Sequence, residues 1–218
     1  CIQFSLQEME EIVHAFAQDQ KSTLVTKFGL HDSRDWKVEW AIKDLQENIK
    51  FNLYKQIIYR PFDVRFTFFT SKSRGFIGTP GKMSREFLED NMAILTSRSF
   101  AAQRSFDGVF VSKLIPDIHS ATDQTNVFPL YIYAEDGTRV LNLESDIIKE
   151  IKKAINNVNP EEINVNPEEI FDYIYAILYS PNYREKYKEF LKIDFPHIPY
   201  PKDVKSFKKL VDLGAELR

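Results

Sequence analysis

The sequence predicts an α+β fold in which a β-rich centre is flanked by helical segments at both ends. Apolar residues recur at helical spacing near the start and again from Ser145 onward, whereas residues 54–134 favour a period of two. Polar segments at 71–82, 97–107 and 113–126 separate the predicted strands. We therefore expect a central, largely antiparallel twisted sheet with long polar loops, flanked by N-terminal helices and a helical C-terminal part.

Two helices are predicted in the N-terminal segment, residues 1–53. Residues 6–18 carry apolar side chains at helical spacing, and Ser5 with Glu8 forms a capping box at the start. A second helix is predicted from about residue 35 to 45. Each helix has one polar face, so we interpret both as packing elements.

The centre of the chain is rich in β-branched and aromatic residues. Residues 55–70 predict two strands that Pro61 separates, because proline cannot donate to a strand ladder. Further strands are predicted over 92–96, 108–112 and 127–134, and a short helix over 84–89. The aromatic side chains assigned to the core are Phe62, Phe66, Phe68 and Phe69.

Helical periodicity returns after residue 145 in four segments. Two apolar stripes predict packing faces in this part. They consist of Ile170, Ile174, Ile177 and Leu178, and of Tyr183, Tyr187, Phe190 and Leu191. One heptapeptide occurs twice in tandem, at 157–163 and 164–170. The second copy predicts a helix start with proline in the first turn, and the first copy predicts a surface linker.

Sequence signatures of catalysis are missing. The chain has no Asn/Asp-Pro-Pro-aromatic tetrapeptide, P-loop or dinucleotide fingerprint. Its carboxylates are dispersed, its four histidines are isolated, and its one cysteine cannot form an internal disulfide. We therefore expect no catalytic, cofactor or metal site in this chain.

Charge is unevenly distributed along the sequence. The net charge is −3, yet residues 54–113 hold ten Lys or Arg against five Asp or Glu. A basic centre between acidic flanks is typical of one nucleic-acid-facing surface whose other faces contact protein or water. A mixed, solvated surface is the alternative interpretation.

The polar segments carry the side chains that recognition of double-stranded DNA uses. Arg and Lys bind phosphates or the guanine edge, and Asn and Gln form paired hydrogen bonds with adenine. The candidate DNA-binding residues are Lys72, Arg74, Lys82, Arg85, Arg98, Gln103, Arg104, His119, Gln124 and Asn126. Three loops carried by one sheet could enter a groove together, although ordinary solvated loops would have the same composition.

Three separated motifs resemble one known family. They are YRPFDVR at 59–65, FPLYIY at 128–133, and two amphipathic helical patterns with a proline-rich exit at 171–201. In this order they resemble the C-terminal target-recognition region of single-chain Type ISP and Type IIG-like restriction-modification enzymes. In that family the region reads the DNA sequence while other domains cut and methylate.

The resemblance implies a non-catalytic chain that recognises a specific double-stranded DNA sequence. Residues 1–53 would connect to a methyltransferase domain of the same parent chain, 54–135 would form the recognition core, and 136–218 its helical part. The parent would be an adenine-specific DNA methyltransferase and restriction endonuclease using S-adenosylmethionine, Mg²⁺ and ATP, while this chain would hold no cofactor. A start at Cys1 suggests a fragment, and the lack of a leader or membrane span suggests the cytoplasm.

Two other functions remain open. The chain could be an interaction domain that couples methyltransferase and nuclease or motor domains without reading DNA, or a free-standing enzyme with a dispersed active site. Arg60 and Asp63 could contact DNA or could clamp the bend at Pro61 through a mutual ion pair.

Overall fold

The computed structural model describes residues 1–98, 106, 108–121, 124–155 and 164–218. These residues form seven α-helices and eight β-strands. The helices are α1 (Leu6–Gln18), α2 (Lys21–Phe28), α3 (Val38–Asn48), α4 (Ser145–Ile155), α5 (Pro167–Tyr179), α6 (Pro181–Lys186) and α7 (Val204–Leu217). The strands are β1 (Tyr54–Arg60), β2 (Asp63–Phe68), β3 (Ala93–Thr96), β4 (Phe110–Ser112), β5 (Ile115–Pro116), β6 (Asn126–Pro129), β7 (Tyr131–Tyr133) and β8 (Arg139–Leu141).

The chain divides into two compact units. The first, which we call the N-terminal unit, comprises Cys1–Leu88 and Leu114–Ser120. The second, the C-terminal unit, comprises Glu89–Lys113 and Ala121–Arg218. The segment that carries β5 therefore returns to the N-terminal unit after the C-terminal unit has begun.

Three helices cover the core of the N-terminal unit. The Ser5 hydroxyl accepts a hydrogen bond from the Glu8 N–H at 3.2 Å, and the Glu8 carboxylate accepts one from the Ser5 N–H at 3.1 Å. The predicted capping box is thus confirmed. Helix α2 was not predicted, because it lacks a side-chain cap and buries only Leu24. The core contains Met9, Val13, Phe16, Val38, Leu45, Phe68 and Phe76.

The sheet of the N-terminal unit has the strand order β2–β1–β5. Strands β1 and β2 form an antiparallel hairpin, split at Pro61 as predicted, and β5 pairs with β1 in parallel. A short 3₁₀ helix, Ser84–Phe87, lies where a short helix was predicted.

Two sheets belong to the C-terminal unit. Antiparallel strands form one in the order β4–β3–β6, and β7 with β8 forms a separate hairpin. Gly137 occupies the turn of that hairpin with a φ of 81°, a conformation that glycine adopts without steric cost.

The four predicted C-terminal helical segments are confirmed as α4 to α7. Helix α5 begins with Pro167 in its first turn, and the Glu169 carboxylate accepts the Asn166 N–H at 3.0 Å. The first copy of the tandem heptapeptide, 157–163, lies outside the described residues. Phe190 does not belong to the predicted second stripe, because it is 71% exposed after α6 has ended.

Helices α5 and α7 pack closely. A Cβ on Gly214 of α7 would lie 1.9 Å from the Asp172 backbone oxygen, so only glycine permits this approach. The Arg218 guanidinium also binds the buried Asp172 carboxylate, with an Nε to Oδ1 distance of 2.7 Å. No helix among the described residues is both long and apolar enough to cross a membrane.

The predicted α+β class is confirmed, but its strands are distributed over three small sheets instead of one central sheet. Strands β5 and β6 both end at a proline, Pro116 and Pro129, which lacks the N–H needed to extend a ladder. The predicted strand 127–134 is divided at Leu130 into β6 and β7, and β8 was not predicted.

Candidate nucleic-acid interface

The glycine-rich loop after β2 is held in place by one buried carboxylate. Asp44 on α3 is fully buried, and its Oδ2 accepts hydrogen bonds from the Phe76 N–H and the Thr70 hydroxyl, both at 2.8 Å. A Cβ on Gly75 would lie 2.2 Å from the same oxygen. Asp44 therefore anchors the first part of the loop, from Thr70 to Phe76, and Gly75 permits its close approach to this carboxylate.

Arg74 projects from this loop in an uncommon backbone conformation. Its φ is 58°, and its N–H donates to the Gly78 carbonyl at 2.8 Å. The guanidinium lies 5.3 Å from the centre of the Trp40 ring, within the range of a cation–π contact. The side chain is thus exposed to solvent yet directed by α3.

The other loop cations of the N-terminal unit lie at its surface. Lys72 forms an ion pair with Glu47 at 2.9 Å, and this hydrogen bond raises the pKa of Lys72 and lowers that of Glu47. Arg85 forms an ion pair with the buried Glu86 at 3.3 Å, and Lys82 is exposed. We call the loop bearing Lys72, Arg74, Lys82 and Arg85 the basic loop.

A second group of candidates lies at one end of the β4–β3–β6 sheet. Thr96, the last residue of β3, pairs with Asn126, the first residue of β6. Arg98 follows β3 and Gln124 precedes β6, so both lie at this end of the sheet. Arg98 forms an ion pair with Asp194, with an Nε to Oδ1 distance of 3.2 Å. The pKa of Asp194 is lowered by the Phe195 N–H and further by Arg98. We call this group the sheet end.

The remaining candidates divide as follows. His119 is exposed in the N-terminal unit, and its backbone N–H donates to the Asp117 carboxylate at 3.0 Å. Gln103 and Arg104 lie outside the described residues. The expectation that one sheet carries all three loops is wrong, because the basic loop follows β2 and the sheet end belongs to β3 and β6.

The YRPFDVR motif forms the β1–β2 hairpin, and its ion pairs differ from the predicted clamp. Asp63 binds Arg65, with distances of 3.0 Å to Nε and 2.8 Å to Nη2, while Arg60 binds Asp117 at 2.8 Å. The hydrogen bonds from Arg65 lower the pKa of Asp63. Both guanidiniums stack on Tyr59, at 3.9 and 4.5 Å from the ring centre. Arg65 is thus engaged within the hairpin, and Arg60 joins the hairpin to the residue that follows β5.

Phe62 is the clear exception among the aromatic residues assigned to the core. It occupies the hairpin turn with a φ of 64° and is 93% exposed, whereas Phe68 and Phe69 are buried and Phe66 packs against the core. A side chain in the turn after Pro61 does not follow the strand alternation, which is why the pattern of aromatic residues misplaced it. Within the described residues, no group of three or more His, Cys, Asp or Glu could hold a metal ion.

A small α+β fold that presents cations on its loops and at the end of a sheet has the properties of a recognition domain. The family of Type ISP C-terminal specificity domains matches residues 1–218, and the chain belongs to this family. The resemblance inferred from the three sequence motifs is confirmed. No curated protein matches the chain significantly.

Three solved structures of longer proteins in complex with DNA or a DNA mimic share the fold. The cryo-EM structure of the DrdV–DNA complex has a TM-score of 0.69 and 22% identity, over 99% of this chain and 21% of that chain. The ATP-dependent Type ISP restriction-modification enzyme LlaBIII bound to DNA has a TM-score of 0.63 and 18% identity, over 99% of this chain and 14% of that chain.

A third structure agrees with these two. The nuclease-deletion mutant of the Type ISP enzyme LlaGI with a DNA substrate mimic has a TM-score of 0.55 and 20% identity, over 97% of this chain and 16% of that chain. The chain therefore spans about a fifth or less of the length of the structures it matches.

Proposed function

We propose that this chain recognises a specific sequence in double-stranded DNA as the specificity domain of a longer restriction-modification enzyme. The observation that carries this conclusion is the family match over all 218 residues. The similar structures are DNA complexes, and the basic loop and sheet end supply the side chains that DNA recognition uses.

The contacts can be divided by chemistry. Lys72, Lys82 and Arg85 would bind phosphates, which fixes the register of the protein on the duplex. Arg74 and Arg98 have the planar guanidinium that binds both acceptors of a guanine edge. Gln124 and Asn126 have the carboxamide that pairs with adenine.

Existing ion pairs do not prevent this use of the cations. Lys72 with Glu47 and Arg98 with Asp194 are exposed pairs, and such pairs contribute little to stability because solvent screens them. A phosphate or base edge can therefore replace the carboxylate at small cost. Before DNA binds, the ion pair with Glu47 orients the Lys72 side chain and the ion pair with Asp194 orients the Arg98 side chain.

The chemistry of the parent enzyme would belong to other domains. Residues 1–53 would connect to an adenine methyltransferase domain of the same chain, with 54–135 as the recognition core and 136–218 as its helical part. S-adenosylmethionine, Mg²⁺ and ATP would serve those other domains. The binding energy of this chain would help a target adenine leave the base stack.

Selection from a randomised duplex library tests the proposed recognition directly. The wild-type chain should enrich one motif, and Arg74→Ala or Arg98→Ala should weaken binding by about 1–3 kcal/mol and relax one position of that motif. Arg34→Ala is the matched control, since Arg34 is an exposed arginine paired with Asp35. If selection with the wild-type chain at low salt enriches no motif, sequence recognition by this chain is refuted.

Exchange of whole loops tests the same function in the parent enzyme. Residues 97–107 or 113–126 would be replaced by those of a relative, and methylated sites would be mapped by sequencing. A new methylated motif is expected. An unchanged motif with full activity would show that these loops do not specify the sequence.

One observation favours the interaction-domain alternative. The exposed Phe62 lies beside arginines that Asp63 and Asp117 already neutralise, and an aromatic side chain in such surroundings suits a protein contact. In that case the arginine substitutions at the basic loop and the sheet end would leave DNA binding unchanged. Phe62→Ala would then weaken association with a neighbouring domain.

A further inference from the structure

Helix α3 and the residues just before it contact the basic loop at several points. Asp44 of α3 accepts the Phe76 N–H at 2.8 Å, and the Trp36 indole N–H donates to the Phe76 carbonyl at 3.2 Å. Trp40 lies four residues before Asp44, so the two side chains share one face of α3. The Arg74 guanidinium lies 5.3 Å from the centre of the Trp40 ring. Trp40 is therefore the contact of α3 with the charged side chain of the loop.

Core packing does not account for the position of Trp40. Within the described residues, the core of the N-terminal unit and the side chains packed against it include Trp36 but not Trp40, which is partly exposed. The Trp40 ring instead lies near two cations, Arg74 and Lys37, each with its charged group 5.3 Å from the ring centre. Tryptophan attracts cations more strongly than the other aromatic side chains do. The contacts of this ring are thus mainly with charge.

The Arg74 side chain differs from its neighbours in the basic loop. Lys72 and Arg85 form ion pairs with Glu47 and Glu86. The Arg74 guanidinium, by contrast, has no carboxylate or carbonyl partner among the described residues. An aromatic ring attracts its positive charge without occupying the five N–H donors as a carboxylate would. Trp40 therefore orients this side chain and leaves its donors available to a ligand.

The backbone also restricts the direction of Arg74. Its φ of 58° is uncommon for a residue other than glycine, and its N–H donates to the Gly78 carbonyl at 2.8 Å. Such a conformation persists where surrounding contacts hold it. A phosphate requires only a nearby positive charge, whereas a guanine edge requires two N–H donors in fixed directions. A defined direction of the guanidinium is thus a requirement of base recognition.

We propose that Trp40 is a positioning residue for base recognition by Arg74. The inference rests on the DNA recognition proposed above and adds a residue that affects sequence specificity without touching DNA. Trp40 would hold the guanidinium where two of its N–H groups meet the O6 and N7 acceptors of a guanine. An arginine restrained before binding loses less side-chain entropy when DNA binds.

Side-chain NMR of the free 218-residue chain tests the contact itself. The ring current of Trp40 should shift the Arg74 Nε–Hε resonance, and Trp40→Leu should return it toward the position of a solvated arginine. The Arg65 resonance is the control and should not move, because the Arg65 guanidinium contacts Tyr59 instead. An Arg74 resonance that is the same in the wild type and in Trp40→Leu would overturn the proposal.

Selection from a randomised duplex library tests what the contact does. Arg74→Ala should relax one position of the motif, and Trp40→Leu should reduce the base preference at the same position about two- to fivefold. Trp40→Phe keeps an aromatic face and should retain most of the preference. Lys37→Ala is the matched control, because Lys37 contacts the same ring, and it should leave that position unchanged. Weaker binding of all sequences by Trp40→Leu, with an unchanged motif, would overturn the proposal.

A double-mutant cycle distinguishes positioning from a structural role. If Trp40 acts through Arg74, the double variant Trp40→Leu/Arg74→Ala should bind and select DNA as Arg74→Ala does. A further loss of affinity in the double variant would mean that Trp40 contacts DNA itself or supports the whole loop, and would overturn the proposal. The Tm of Trp40→Leu should stay close to that of the wild type, because Trp40 lies outside the core.

The same selections separate this proposal from the proposed function. If the wild-type chain selects a motif and Trp40→Leu selects it with equal preference at every position, DNA recognition stands and only the positioning role fails. If the wild-type chain selects no motif, the proposed function fails, and base recognition by Arg74 fails with it.

Discussion

The basic loop and the sheet end position their cations by different physical means. The basic loop is anchored by the buried carboxylate of Asp44, which accepts hydrogen bonds from the Thr70 hydroxyl and the Phe76 N–H at 2.8 Å. The sheet end is fixed by strand register, which places Thr96 beside Asn126, and by the exposed Arg98–Asp194 ion pair. One buried carboxylate therefore anchors the part of the basic loop that bears Lys72 and Arg74, whereas the sheet end depends on a ladder of backbone hydrogen bonds.

The largest expected effect comes from removing the buried carboxylate. Asp44→Ala leaves the Phe76 N–H and the Thr70 hydroxyl unsatisfied, so we expect a loss of about 3 kcal/mol in the free energy of unfolding. Urea denaturation of the chain measures this. Asp194→Ala at the sheet end is the control and should leave the urea midpoint almost unchanged. Similar urea midpoints for both variants would show that Asp44 stabilises the basic loop no more than Asp194 stabilises the sheet end.

A smaller effect is expected at the glycine that faces Asp44. Gly75→Ala places a methyl group 2.2 Å from Asp44 Oδ2, so the loop must shift, at a cost of about 2 kcal/mol. Gly81→Ala in the same loop is the control, because its methyl group would meet the Ser84 side chain, whose hydroxyl at 2.8 Å can rotate away and whose Cβ at 3.9 Å is in ordinary contact. Thermal unfolding compares the two, and an equal cost at Gly81 would contradict the role of Asp44.

The proposed phosphate contacts predict a change in salt dependence. Lys72→Ala should lower the slope of log affinity against log salt concentration by about 1, with no change in the preferred sequence. Anisotropy titrations at several salt concentrations measure the slope. Arg98 is assigned to a base edge, so Arg98→Ala should mainly change the preferred sequence. If Lys72→Ala changes the preferred sequence and Arg98→Ala changes only the salt dependence, the sheet end binds phosphates and the basic loop reads bases.

The smallest expected effect is on the pH dependence of stability, and it concerns the β1–β2 hairpin, which belongs to neither the basic loop nor the sheet end. Arg65 lowers the pKa of Asp63 below its ordinary value of 3.8, so this carboxylate stabilises the fold above that value and loses its effect as the pH falls through the lowered pKa. The difference in urea midpoint between wild type and Asp63→Asn should therefore shrink below about pH 3.8. A difference that persists at lower pH would argue against the Asp63–Arg65 ion pair.

Local sequence patterns predicted much of the secondary structure. The capping box at Ser5, the division of the hairpin at Pro61 and the start of α5 at Pro167 depend on neighbouring residues, and all three are confirmed. Helix α2 lacks a side-chain cap at its N-terminus, and it was missed although Gly29 caps its C-terminus in a left-handed conformation. The division of the strands into three sheets depends on which distant strands meet, and no local period encodes that.

The candidate site was predictable in composition and not in arrangement. Sequence singled out Lys72, Arg74 and Arg98 because of their charge, and their contacts with DNA stay a prediction, as do the domain boundaries at residues 53 and 135. Asp44 was not singled out, because an acidic residue on an amphipathic helix normally faces water. Its partners lie 26 and 32 residues away in the chain, beyond the reach of pattern analysis.

The sequence by itself determined the α+β class, the caps and turns that delimit the elements, and the family to which the chain belongs. Each of these follows from residues that are close in the chain or from motifs in a fixed order. Only the tertiary structure decided that Asp44 is buried and that Phe62 is exposed. Burial depends on which distant surfaces pack together, and those contacts form only when the chain has folded.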